Sequence, residues 1–215
     1  VDGTRRLSEQ LARLERPPKT MLCASAIGIY GDRGATPADE TAPVGGDFLA
    51  DVCDAWETAT RPAVDAGIRV VHLRFGIVLT PAGGALARML LPFALGVGGR
   101  LGSGRQMMSW ITLDDLLGAV LHTMATPSLN GPVNIVAPNA VDNRTFTRTL
   151  GTVLHRPTVF PVPAQALRLV FGEMADALLL SGAHVRPTRL ESSGFTFHYP
   201  TLDAGLRHLL GRAAA

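Results

Sequence analysis

Lysine is almost missing from this chain: Lys19 is the only one, against abundant arginine and alanine. The skew reads as a coding bias and carries no functional signal. Cysteine is as scarce. Cys23 and Cys53 lie in apolar or helical settings without C-x-x-C spacing, which leaves a disulfide framework or a zinc site unsupported. The six histidines are spread singly, with no His-x-x-x-His pair and no carboxylate at metal spacing, so no metal site is expected. Long apolar runs are missing too. A bilayer span needs roughly 20 apolar residues. The best candidate, 85–95, contains Arg88 and Pro92. No apolar leader with a small-residue cleavage site opens the chain. The formal charge is only +2, and the basic residues are scattered, which argues against nucleic acid. Ser25 sits in A-S-A-I-G, not in the G-x-S-x-G of a serine-hydrolase elbow. The expectation from these absences is a cytoplasmic protein that takes neither nucleic acid nor membrane as partner.

What is present is apolar and periodic. A hydrophobic content of 47% over 215 residues suffices for one substantial domain with a small appendage. Leu7, Leu11 and Leu14 recur at helical spacing over 4–15, and Pro17-Pro18 stops that helix. Segment 20–29 reads as a buried strand and is followed by a loop. A helix is expected over 47–66, with Asp47 accepting hydrogen bonds from its first turn. Segment 68–79, IRVVHLRFGIVL, is the strongest strand, and its apolar character on both faces suits a parallel sheet covered by helices. A helix over 85–95, a glycine-rich loop over 96–104, an extended piece over 107–111, a helix over 113–124 and a strand over 131–136 follow. Asp114 and Asp115 are read as helix-start residues, favoured there by the helix dipole. Helical segments at 146–154, 163–171, 175–181 and 202–210 close the chain. Trp56 and Trp110 are read as packing residues. The fold class is therefore α/β: residues 1–140 form the latter part of a doubly wound parallel sheet, and residues 141–215 a small C-terminal helical domain.

Three ordered segments carry a resemblance. They are Ala24-Ser25-Ala26-Ile27-Gly28-Ile29-Tyr30-Gly31, Leu73-Arg74-Phe75-Gly76-Ile77-Val78-Leu79 and Trp110-Ile111-Thr112-Leu113-Asp114-Asp115. Together with Gly102 to Gln106, Gly131 to Ile135 and the ending Arg186-Pro187 to Phe195, they resemble the extended short-chain dehydrogenase/reductases. The resemblance is to the uncharacterised epimerase-family members with a C-terminal helical domain of unknown function. It implies a Rossmann-type domain and NADP(H) as cofactor of the complete protein.

Two departures qualify it. The family opens with a strand and a Gly-x-x-Gly-x-x-Gly loop whose amides hold the pyrophosphate, and no such loop occurs in these residues. Residues 96–104 do not substitute, because Leu101 stands where the third glycine belongs. No dinucleotide affinity is therefore expected of this chain alone. The family's Tyr-x-x-x-Lys pair, in which the cation lowers the phenol's pKa, falls at Leu49 and Cys53 when Glu57 sets the register. Neither residue performs that task.

The resemblance implies Ser25 as a substrate-bonding hydroxyl at the strand end, with Ala26 as the alternative register, and Ala24 beside the cofactor. Tyr30 is the second candidate catalytic group; its plainer reading is a half-buried anchor. Phe75, Gly76 and Val78 are candidates for the nicotinamide side, with strand core as the alternative. Arg105 and Gln106 are candidates for an anionic substrate group, with a solvated hairpin as the alternative. The expected function is an atypical NADP(H)-binding oxidoreductase or epimerase-like protein acting on a small hydroxyl- or carbonyl-bearing molecule. The alternative is a catalytically silent nucleotide-binding or interaction protein on the same scaffold. Homodimer formation stays open.

Overall fold

The double-sided apolar run of segment 68–79 becomes the middle of a sheet. In the computed structural model, which describes residues 1–212, the chain begins with α1 (Asp2–Ala12), β1 (Thr20–Ala26) and β2 (Gly34–Ala38). Next come α2 (Phe48–Thr58), α3 (Arg61–Asp65), β3 (Arg69–Phe75), β4 (Ile77–Leu79) and α4 (Gly84–Ala94). After them lie β5 (Met107–Met108), β6 (Trp110–Thr112), α5 (Leu113–Ala125), β7 (Gly131–Ile135) and β8 (Val141–Asp142). The chain closes with α6 (Asn143–Leu154), α7 (Ala164–Phe171), α8 (Glu173–Ala175), β9 (Ala183–Val185), α9 (Thr188–Ser192) and α10 (Leu202–Leu209). The main sheet has the order β1-β3-β7 and is parallel throughout, with Ser25 level with Arg74 and Arg74 level with Asn134. The parallel α/β architecture expected from the sequence is the one observed.

Several elements differ from the sequence reading, each for a local reason. The strand over 20–29 stops at Ala26, and a single 3-10 turn, Ile27–Tyr30, carries the chain to Gly31 at φ 65°. Segment 68–79 is two strands. The Gly76 amide still donates to the Ile135 carbonyl at 3.2 Å, whereas the Ile77 amide donates to Ser109 at 2.8 Å, so β4 leaves the main sheet and pairs with β6. A Cβ on Gly76 would stand 2.5 Å from the Ser109 carbonyl oxygen and 2.6 Å from Val136 Cγ1; only glycine fits this crossing. The helix over 47–66 is divided at Thr60, where Pro62 stands in the first turn of α3 and cannot donate a backbone hydrogen bond. Its start is as expected, the Asp47 carboxylate accepting from the Ala50 amide at 2.9 Å. The loop after β1 contains β2, which runs parallel to β9, a strand within the segment expected to form a small helical domain.

Trp110, fully buried, holds the second half together. Around it pack Leu79 of β4, Leu86 and Phe93 of α4, Phe146 and Leu150 of α6, and Leu202 and Leu206 of α10. Burying an indole of this size contributes roughly 5 kcal/mol by its apolar area. Residues on both sides of position 140 therefore share one core. Asp115 does more than start a helix. Its carboxylate, fully buried, accepts the backbone N–H groups of His198 at 2.8 Å and Tyr199 at 2.9 Å, fastening the C-terminal segment to α5. Among the described residues no helix is long and apolar enough to cross a membrane.

Candidate functional site

A cavity of about 330 Å³ opens at the carboxyl ends of β1 and β3. Ala26 and Ile27 form one wall, Leu49 and Cys53 of α2 a second, and Phe75, Gly76 and Ile77 the floor where β3 passes into β4. Met107, Ser109 and the stretch from Ser181 to Ala183 close it. At Gly31, one of the lining residues, two stretches of backbone are in contact. A Cβ on Gly45 would lie 2.7 Å from the Gly31 nitrogen, and the Gly45 amide donates to Ile29 at 2.8 Å. Among the described residues, Asp47 and Cys53 are the only ionisable side chains on the lining, and no arginine, lysine or tyrosine is part of it. Burial pushes the Cys53 thiol up, so it stays neutral.

Beneath this cavity lies a buried polar network. Arg74, in the apolar strand β3, donates to both oxygens of Glu57 from Nε and Nη2, each at 2.9 Å. Ser25 donates to the same carboxylate at 2.7 Å. Arg74 Nη1 also donates to the Tyr30 hydroxyl at 2.9 Å, and that hydroxyl donates to Asn134 Oδ1 at 2.7 Å. Asn134 in turn gives its side-chain N–H to the Arg186 carbonyl and its backbone N–H to Glu40 Oε1. Burial raises the Tyr30 phenol despite the opposing Arg74 charge. Burial also raises Glu57, but the hydrogen bonds from Arg74 and Ser25 and the Arg74 charge outweigh it and hold the carboxyl below its ordinary value. Burial also raises Glu40, outweighing the hydrogen bonds from the backbone amides and the Arg189 charge.

The structure distributes the sequence candidates among these places. Phe75 and Gly76 line the cavity. Ala26, the alternative to Ser25, lines it as well, whereas Ser25 and Tyr30 are engaged in the network below. Ala24 stands level with Leu73 on the sheet, and Val78, paired with Ile111, packs against the apolar cluster that contains it. Arg105 is exposed, its backbone N–H bonded to Ser103. Gln106 is buried and donates to the carbonyls of Leu101 at 3.1 Å and Leu179 at 2.8 Å. The close approach at Gly76 is to Ser109 and Val136 of the protein itself. Among the described residues no three His, Cys, Asp or Glu side chains gather as a metal site. In the sequence alone Glu57 serves only as a register mark, and Arg74, Asn134 and Glu40 have no evident role. An arginine inside IRVVHLRFGIVL is the signal for them, because a buried guanidinium demands a paired carboxylate.

Residues 162–209 match a family described as a domain of unknown function (DUF1731). An epimerase family protein of Mycobacterium bovis is 47% identical over 193 residues, covering 90% of this chain and 64% of its own length. The human epimerase family protein SDR39U1 is 35% identical over 211 residues, covering 98% of this chain and 72% of that protein. The crystal structure of human SDR39U1 (isoform 2) with NADPH superposes with a TM-score of 0.93 at 33% identity, covering 99% of this chain and 72% of that one. The chain therefore belongs to the epimerase family that includes SDR39U1, within the extended short-chain dehydrogenase/reductases. It spans about two thirds or less of the mycobacterial relatives' length, 64% for the one from M. bovis.

Proposed function

We infer that this chain supplies the substrate side of an NADP(H)-binding epimerase-family protein and holds a small, largely apolar hydroxyl- or carbonyl-bearing molecule in the cavity at β1, α2 and β4. The observation that carries the reading is the position of the cavity. Ligands of open parallel sheets sit outside the carboxyl ends of the strands, and the cavity lies there. The NADPH in the human relative supports the choice of cofactor.

The cavity suits only one end of that cofactor. Its apolar lining accepts an uncharged nicotinamide ring, with Ala26, Phe75 and Gly76 as the residues beside it. Among the described residues its lining holds no cation for the phosphates. When bound, NADPH supplies a hydride. What the chain itself does is exclude water with Ile27, Leu49, Phe75 and Ile77, and fix the strand ends through the Ser25–Glu57–Arg74–Tyr30 network.

A second reading is favoured by one observation. Leu49 and Cys53, which occupy the register of the family's Tyr-x-x-x-Lys pair, face this cavity and offer no phenol and no cation. A catalytically silent binder on the same scaffold accounts for that. Titrating the full-length protein with NADPH by fluorescence, then screening small carbonyl compounds for loss of NADPH absorbance, separates the two. Saturable binding with turnover supports the enzyme; binding without turnover across a broad panel supports the silent binder. No binding at all removes both.

A further inference from the structure

A second cavity, of about 240 Å³, lies between α6, the loop at 100–104 and the segment 156–162. It shares no lining residue with the first. Arg100, Arg144 and Arg148 converge on it, together with Thr147 and Thr158. Among the described residues none of these guanidiniums has a carboxylate partner; their one hydrogen bond is from Arg100 Nη1 to the Ser103 carbonyl at 2.9 Å. The sequence explains why. No Asp or Glu occurs from 66 to 113 or from 143 to 172, the two stretches that build these walls. Arg144 also stands in the first turn of α6, where the helix dipole already disfavours a cation. Arg144 and Arg148 are exposed and Arg100 half-buried, so water screens their repulsion, but together they give this cavity a positive potential that favours an anion.

Thr147 is an independent pointer. It is 4% exposed, lines this cavity, and its hydroxyl has no hydrogen-bond partner among the described residues. Its oxygen is not sealed from solvent, so an oxyanion in the cavity can accept its hydrogen bond. The walls are fixed beforehand by the backbone. Arg144 N–H donates to Gly104 at 3.0 Å, Val162 N–H to Arg100 at 2.8 Å, and Leu101 N–H to Asn143 Oδ1 at 2.8 Å.

We propose that this cavity is a binding site for a phosphate group, held by Arg100, Arg144 and Arg148 and by the Thr147 hydroxyl. Guanidinium forks match phosphate oxygens in geometry as well as charge. The site is independent of the cofactor reading, since it uses other residues and a different ligand chemistry. Val159 and Phe160, exposed at 69% and 59% beside the arginines, make a phospholipid headgroup one source of the phosphate and a free phosphate compound the other.

The test uses the intact protein. Inorganic phosphate is expected to raise its Tm beyond the effect of sodium chloride at equal ionic strength, and pyrophosphate to bind by calorimetry. The R144Q/R148Q variant, altered only at exposed positions, keeps its fold and loses both responses. Thr147→Val keeps the side-chain shape and weakens pyrophosphate binding about tenfold. Vesicles of phosphatidylcholine with and without phosphatidic acid separate the sources: acid-dependent cosedimentation assigns a headgroup, and indifference to vesicles with phosphate binding retained assigns a free compound. A wild-type protein with no phosphate-specific response, or one whose response survives R144Q/R148Q unchanged, overturns the proposal.

Discussion

Glu57 grips Arg74 through two contacts of 2.9 Å, one from Nε and one from Nη2, with both side chains about nine-tenths buried. A two-pronged pair of this kind holds α2 against β3 at the level where the cavity begins. Removing one member strands the other's charge in the interior.

Arg74→Met is therefore expected to cost roughly 3–5 kcal/mol, read as a fall in the urea midpoint at constant slope. The double variant E57Q/R74M should recover a substantial part of that loss, because no lone charge remains. The pair also carries a pH signature. The depressed Glu57 carboxyl contributes stability that is complete above the ordinary glutamate value and drains away as pH falls through the lower folded value. Wild type should lose stability on acidification more steeply than E57Q/R74M. A cost for Arg74→Met below about 1 kcal/mol would show that the pair is dispensable.

Tyr30→Phe separates a structural phenol from a catalytic one. The hydroxyl accepts from Arg74 and donates to Asn134, so its removal leaves two buried groups short of a partner and should cost about 1–3 kcal/mol. NADPH binding by the full-length protein is expected to stay unchanged. Normal stability together with abolished carbonyl reduction would place Tyr30 in the chemistry instead.

Glu40 gives the opposite pH sign. Its Oε1 accepts from the amides of Asn134 and Arg189, while Oε2 is buried without a partner. Burial sets the carboxyl above its ordinary value. Below the ordinary value the group is neutral in both states and costs nothing. As pH rises towards the higher folded value, the unfolded chain releases its proton first and stability falls. Glu40→Gln removes the charge and keeps one acceptor oxygen. Its stability relative to wild type should improve as pH rises from 4 to 8 in a chemical denaturation series. A constant difference across that range would mean that Glu40 carries no such cost.

Gly76→Ala tests the crossing between the two strand pairs. The added Cβ would meet a carbonyl oxygen and a buried valine at once, neither the end of a long side chain, so the backbone must move. A loss of about 2–3 kcal/mol is expected, with chemical-shift changes concentrated at Ile77, Ser109 and Val136. An unperturbed, equally stable variant would mean that the crossing yields.

The periodic elements were legible because their signals are local. Asp47 announced the start of α2, and the β-branched run around Val70 and Val71 announced the central strand. What escaped was long-range. The β2 strand, GATPA, carries a glycine and a proline, residues depleted in strands, and its partner β9 lies far along the chain, so no local pattern could reveal the pair. The division at Gly76 depends on Ser109 and Val136 arriving from elsewhere. Of the candidates named from the ordered segments, Phe75, Gly76 and Ala26 line the candidate cavity. Ser25 and Tyr30 carried the right atoms, but the strand's alternation turns Ser25 towards Glu57, which only the packed sheet discloses. Asp115 looked like a dipole residue because its true partners, two amides of the C-terminal segment, are invisible at the helix start.

In the order β1-β3-β7, β1 is flanked by a strand on one side only among the described residues. Outward-pointing amides along Thr20–Ala26 should therefore trade hydrogen for deuterium quickly, while those facing β3 stay protected, a residue-by-residue stripe visible in exchange spectra. The same open ladder is a template for any extended peptide, so concentrated samples of this polypeptide should thicken into oligomers through that rim unless a strand is supplied to cover it.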